Sequence, residues 1–167
     1  NWMIKFWTID LHSLRVTSIY TQKLSTCTVA EQNIHPICSG LATCVSDWIQ
    51  TGLLIGNSCG DLYKYIFGTE NTVHCTWKLH LHEAQINDIE ISPFMPNLSA
   101  SCSSDFLIKL LYSQEPSRHD EYKEDEAPPY ILFTIDAKLP VSSIRFSKYS
   151  STVLFATMIE GTINVFD

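Results

Sequence analysis

Positive charge is scarce in this chain of 167 residues: 11 Lys and Arg stand against 18 Asp and Glu, for a formal net charge of −7. Nucleic acids and anionic membranes are bound through clustered cations, and here the cations are few and scattered. Neither is expected as a main partner. No apolar run approaches the roughly 20 residues that cross a bilayer. A GxSxG elbow, an HExxH helix and a phosphate-binding glycine loop are all lacking, and the 6 glycines fall at strand turns. No catalytic residue and no cofactor are therefore assigned. A metal site can be imagined from His74, His80 and His82, with His80 and His82 on one face of a strand. Because His82 takes a structural part, described below, too few ligands remain, and no metal is expected.

Six cysteines (Cys27, Cys38, Cys44, Cys59, Cys75 and Cys102) include no CxxC pair, whereas a structural zinc needs closely spaced ligand pairs. Several, such as Cys44 in LATCV and Cys102 in SASCS, sit within apolar strand patterns, where a reduced thiol behaves as a small hydrophobe. Reduced, buried thiols and a cytosolic type of compartment are expected. The first residues, NWMIKFWTID, carry no initiating Met and no basic leader, and read as the middle of a strand. The chain is expected to be a segment of a longer protein.

What is present is a folded composition, 45% hydrophobic and 17% charged, and an internal repeat. From Ile86 to Tyr112 the chain alternates through Ile86, Ile89 and Ile91 and turns through a Pro- and Asn-rich stretch (92–97). A small-residue strand (98–103), a polar turn at Ser104–Asp105 and a third strand (106–112) follow. Val141 to Asp167 repeats this 55 residues on: Val141, Ile144 and Phe146 take the places of Ile86, Ile89 and Ile91, and Glu160–Gly161 those of Asp105–Phe106. A third copy, Gly40 to Ile66, falls in register at 46 residues, with Thr43, Val45, Ser46, Gly60 and Leu62 aligned. Fourth strands are predicted over 73–81 and 130–135, and MIKFWTID followed by RVTSIYTQ reads as the last two strands of a preceding unit. The shorter spacing is near the period of four-stranded propeller blades. The longer one is explained by an acidic, almost wholly polar insertion over 113–129. Such a run is read as a solvated loop that keeps an edge soluble. No long apolar period of 3.6 residues competes, and no helix is expected.

These features resemble the WD-repeat family. Its pattern is a His before the first strand, a small-residue strand ending in Ser-x-Asp, and an Ile-Lys-x-Trp strand; His82, Ser101, Asp105 and Ile108-Lys109-Leu110-Leu111 follow it. In that family His, Ser, Asp and Trp form a hydrogen-bond chain that locks a blade. Here Leu111 stands in the Trp position, and Glu160 and Cys59 stand in the Asp position of the neighbouring copies. The resemblance implies an all-β, WD-repeat β-propeller, with about three and a half blades of a larger, seven-bladed ring present. Residues 1–36 would hold the end of one blade and a linker, 37–81 a blade, 82–136 a blade with the acidic insertion, and 137–167 an incomplete blade.

Within that family, SPFMPNLSASCSSDFLIKL, KYSSTVLFATMIEGTINVFD and GLLIGNSCGDLYKY are similar to successive blades of dynein intermediate chains, over roughly residues 40–167. Phe106 and Leu111 stand where those chains commonly carry Trp, a departure that suits a divergent, axonemal member. The resemblance implies a non-catalytic scaffold subunit whose propeller grips the tail of a dynein heavy chain, alongside other intermediate and light chains. The setting would be cytoplasm and cytoskeleton, including the axoneme of a cilium. Another WD-repeat scaffold, in intraflagellar transport, ubiquitin-ligase adaptors or vesicle coats, is the alternative. Trp48, Phe94 and Phe106 lie in or beside turns and are the candidate partner contacts.

Overall fold

The structure, a computed structural model, describes residues 3–10, 12–13, 15–23, 42–48, 52–67, 73–113 and 128–167. All regular structure among them is β-strand, paired antiparallel between chain neighbours. Strands β1 (Met3–Asp10) and β2 (Arg15–Lys23) form a hairpin. The first four-stranded sheet runs in chain order through β3 (Ala42–Trp48), β4 (Gly52–Asn57), β5 (Asp61–Phe67) and β6 (Val73–His80). A second is built from β7 (Ile86–Ile91), β8 (Leu98–Ser103), β9 (Leu107–Tyr112) and β10 (Tyr130–Asp136). The third contains β11 (Val141–Phe146), β12 (Leu154–Met158) and β13 (Ile163–Phe166).

Strand boundaries explain the residue choices. The second sheet is covered on both sides, and its middle strand β8 is almost wholly buried. Small side chains at Ala100, Ser101, Cys102 and Ser103 let neighbouring layers approach it. On one side Leu54, Leu62, Trp77 and Leu81 of the first sheet and its exit pack against Ile86, Ile89 and Leu111. On the other, Ala100, Cys102 and Ile108 pack against Val141, Ile144, Phe146, Leu154, Ala156 and Met158 of the third sheet. The outermost strand β10 is by contrast exposed nearly throughout.

The 55-residue offset holds strand by strand. Ile86 pairs with Ser103 as Val141 pairs with Met158, and Ile89 with Ser101 as Ile144 with Ala156. The 46-residue offset needs a correction. It holds for the second strand, where Asn57 takes the place of Ser103, but Asn57 pairs with Ala42, which stands 44 residues before Ile86. Val45, not Thr43, therefore takes the place of Ile89. The physical reason is a shorter connection: residues 49–51 join β3 to β4, against 92–97 between β7 and β8. A gapless alignment cannot see this. The insertion is described only at its ends, since residues 114–127 lie outside the described residues, as do residues 24–36 of the expected blade end and linker over 1–36.

Candidate interaction surface and the polar networks behind it

Because each sheet is an antiparallel meander, alternate connections lie at opposite ends. The turns at 58–60, 81–85, 104–106, 137–140 and 159–162 share one end, called here the His82 end. The turns at 92–97 and 147–153 share the other, the Ser92 end.

His82 follows β6 and is fully buried. Its Nδ1 lies 2.9 Å from Asp105 Oδ2 and its Nε2 lies 2.9 Å from Ser101 Oγ. Burial pushes the ring's pKa down, against the opposing pull of Asp105, and Lys109 adds to the lowering. The ring is therefore neutral at pH 7, with Nδ1–H donating to the carboxylate and Nε2 accepting from the serine hydroxyl. Ser101 has one proton, and it goes to the ring rather than to Lys109 O at 3.5 Å. Burial alone would raise the pKa of Asp105. Donation from the Leu107 amide (3.0 Å), from His82 and from the Glu83 amide (3.1 Å) outweighs that and holds it below the ordinary value. The structure thus brings His82, Ser101 and Asp105 together. Leu111, in the indole position, is apolar and buried in the core between sheets.

The first sheet has a different network, which sequence reasoning missed. Its carboxylate comes from Asp61, two residues beyond the expected Cys59. Asp61 Oδ1 meets His80 Nδ1 at 2.9 Å, and Oδ2 meets Lys78 Nζ at 2.9 Å. Buried Asn57 accepts the Cys59 and Asp61 amides at 2.9 and 2.8 Å. Burial opposes ionisation of Asp61, but Lys78 and His80 together hold its pKa below the ordinary value. His80 and His82 do not share a strand face: β6 ends at His80, and each histidine serves its own aspartate. The side chain of His74 lies outside the described residues, among which no group of three His, Cys, Asp or Glu is placed to hold a metal ion. Cys75 and Cys102 are buried thiols, but Cys59, on its turn, is exposed.

Gly60 ties these networks together. At φ 81° its carbonyl accepts both the Leu81 amide (2.9 Å) and the His82 amide (3.0 Å). A Cβ there would lie 1.8 Å from His82 O. The second and third sheets are joined by side chains of β7 reaching the backbone and side chains of β11. Asp88 Oδ2 accepts from Ser143 Oγ (2.6 Å), the Ile144 amide (3.1 Å) and Arg145 Nη1 (2.6 Å). Glu90 Oε2 accepts the Phe146 amide at 2.5 Å, and Asn87 Nδ2 donates to Val141 O at 2.7 Å. In the sequence these three are simply the polar residues between Ile86, Ile89 and Ile91, with no sign of whom they meet.

The candidate contacts do not form one surface. Phe94, 43% exposed, sits at the Ser92 end, on a turn whose Phe94 and Met95 amides donate to Ser92 Oγ at 3.3 Å. Ser147 holds the equivalent turn of the third sheet through Tyr149 and Ser150, presenting a fully exposed Tyr149. Phe106, 47% exposed, is at the His82 end. Trp48 ends β3 opposite Gly52, and its side chain lies outside the described residues.

No family model matches the sequence, and no curated protein matches it. Among solved structures, the chain is similar to the β-propeller domain of Myceliophteria thermophila Cps50 (Swd1), at a TM-score of 0.72 and 12% identity over 96% of the chain. The fold is that of a β-propeller. The chain spans 50% of the length of that domain. Its sheets are blades, and the sequence expectation of an all-β, partial propeller stands. A match at this identity speaks of fold alone, so which partner the propeller serves must come from its own residues.

With blades as the frame, the origin of the missed network is clear. The second blade locks itself with a His from the entering connection. The first uses a His from its own outer strand, β6, reaching back to β5. The available signal was Asp61 directly after the turn glycine, with Asn57 four residues earlier ending an apolar run.

Proposed function

We propose that this chain is part of a non-catalytic scaffold subunit of a dynein motor complex, in which its propeller holds the heavy-chain tail. The observation that carries this reading is the run of intermediate-chain-like phrases in two adjacent blades, SPFMPNLSASCSSDFLIKL and KYSSTVLFATMIEGTINVFD. The β-propeller supports the coarser part: rigid blades cross-linked by buried polar networks, with aromatic side chains held outward on fixed turns, suit a broad protein partner. Other intermediate chains and light chains would complete the assembly, in the cytoplasm and cytoskeleton and at the ciliary axoneme. Net negative charge favours a protein partner over nucleic acid or membrane.

The test is affinity purification of the full-length protein from ciliated cells. A dynein heavy chain should co-purify in near-stoichiometric amount, and Trp48→Ala and Phe106→Ala should weaken its recovery while leaving thermal unfolding in place. Recovery of a different stable complex, from intraflagellar transport, a ubiquitin ligase or a vesicle coat, would replace the dynein assignment and leave the scaffold reading intact.

A further inference from the structure

Two residues other than glycine, Phe106 (φ 74°) and Lys138 (φ 65°), have left-handed backbone among the described residues. That conformation is uncommon for any residue with a Cβ, and for a bulky aromatic it is a genuine outlier. The repeat makes the exception sharper. The matching turn positions in the neighbouring blades are Gly60 (φ 81°) and Gly161 (φ 88°), where the same geometry carries no such strain. The second blade thus keeps a phenylalanine at a position built for glycine.

The two strained residues meet in one place. The Ala137 amide, next to Lys138, donates to Phe106 O at 2.9 Å, and Pro140 O accepts the Ile159 amide at 3.0 Å. The β8–β9, β10–β11 and β12–β13 turns are thereby joined into a continuous ledge at the His82 end. It exposes the Phe106 ring (47%) and Ile159 (61%). The core does not consume the Phe106 ring, so packing does not repay the backbone cost. Phe106 also belongs to the blade that has described neighbours on both sides, unlike Phe133, Ile163 and Val165 on outer edges. Strain that persists without a packing return marks a functional position.

The charges around the ledge select the partner. At this end Glu83, Asp136 and Glu160 are exposed, while Asp105 is turned in to His82. The lysines among the described residues there are each engaged, Lys138 with Asp136 at 2.5 Å, Lys78 with Asp61 at 2.9 Å and Lys109 with Leu81 O at 2.5 Å. We infer that the Phe106–Ile159 ledge is a docking site for a cationic protein segment, one that places an apolar side chain against Phe106 and Lys or Arg beside Glu83 and Glu160. This deepens the scaffold reading by naming the end of the propeller and the chemistry of its ligand. It does not depend on that ligand being a dynein heavy chain.

The test is selection of a displayed random twelve-residue peptide library on the full-length protein, followed by binding measurements with the enriched peptides. Enrichment of sequences pairing Lys or Arg with Leu, Phe or Met is expected. Binding should weaken at least tenfold on Phe106→Gly and on Glu160→Lys, and stay unchanged on Tyr149→Ala at the opposite end. Phe106→Gly suits the turn, so loss of binding there is not loss of folding, and its unfolding midpoint should be no lower than that of the parent. Enrichment of acidic or purely apolar peptides, no enrichment, or equal binding to parent and Phe106→Gly would each overturn the site. Heavy-chain recovery reads separately: peptides that bind through Phe106 while no heavy chain co-purifies would sink the dynein assignment and keep the ledge.

Discussion

Gly60 and Gly161 share a backbone conformation and a position in the repeat, yet alanine should cost them very different amounts. Both have left-handed φ, at 81° and 88°, where an L side chain costs on the order of 1–2 kcal/mol. At Gly161 a Cβ would meet nothing within 4 Å, so that is the whole cost. At Gly60 the Cβ would lie 1.8 Å from His82 O, 2.6 Å from His82 C and 2.9 Å from Ala84 O, all backbone atoms with no flexible end to swing away. The 82–84 connection must withdraw, which breaks the Leu81 and His82 amide bonds to Gly60 O. Each such bond is worth about 1 kcal/mol. We expect Gly161→Ala to lose about 1–2 kcal/mol and Gly60→Ala about 3–4 kcal/mol, before any misplacement of the His82 ring. Urea unfolding of the full-length protein, followed by the emission of buried Trp77, measures both. Equal losses in the two variants would refute the claim that close approach, rather than φ, dictates glycine at position 60.

Other consequences follow from the same geometry. The His82 pKa is depressed in the fold, so below its unfolded value near 6.5 the unfolded chain takes up a proton the folded ring refuses. Stability should hold above that pH and fall below it, by at most about 1.4 kcal/mol per pH unit. Asp61 and Asp105, depressed below 3.8, should add a second loss beneath that pH. His82→Gln should abolish the first slope in a pH series of unfolding midpoints and leave the second. At the junction of the second and third blades, Asp88→Ala should cost about 2–3 kcal/mol, because it strands the Ile144 amide. Arg145→Ala, removing an exposed partner of the same carboxylate, should cost under about 1 kcal/mol; a comparable loss in both would show that the ion pair, not the amide, matters. Phe106→Gly should gain about 1 kcal/mol in the same unfolding assay by relieving its backbone; a loss of stability would mean that the ring is a core element.

Strand positions were readable because alternation and turn chemistry are local. Ile86–Ile91, Leu98–Ser103 and the whole of the 55-residue repeat needed nothing beyond their own neighbours. The 44-residue displacement of β3 was not readable, since a turn shortened by a few residues slides one strand without changing its apolar pattern. The His82–Ser101–Asp105 group could be proposed because its spacing repeats a known arrangement, whereas Asn57, Asp61, Lys78 and His80 form a network with no such precedent in the copies beside it. Phe106 is legible in the sequence as an aromatic beside a turn. That its backbone is left-handed, and that Phe94 faces the other way, depends on which end of the meander each turn occupies. Contacts such as Asp88 to Ile144 join different blades, and pattern within one blade carries no record of them.

The placement of Gly60 bears on how such repeats could be exchanged. Its carbonyl belongs to the first blade, while the amide of His82 it holds belongs to the loop whose side chain locks the second. The unit of duplication, read as a strand meander, is therefore out of phase with the unit of cooperation. A graft that swaps the second blade cleanly between residues 81 and 82 would carry the histidine away from the turn that positions its backbone. Donor blades should transplant well only when the recipient's preceding turn also offers a glycine at the equivalent of position 60. The same rule would let recombination shuffle blades in neighbouring pairs more freely than one at a time.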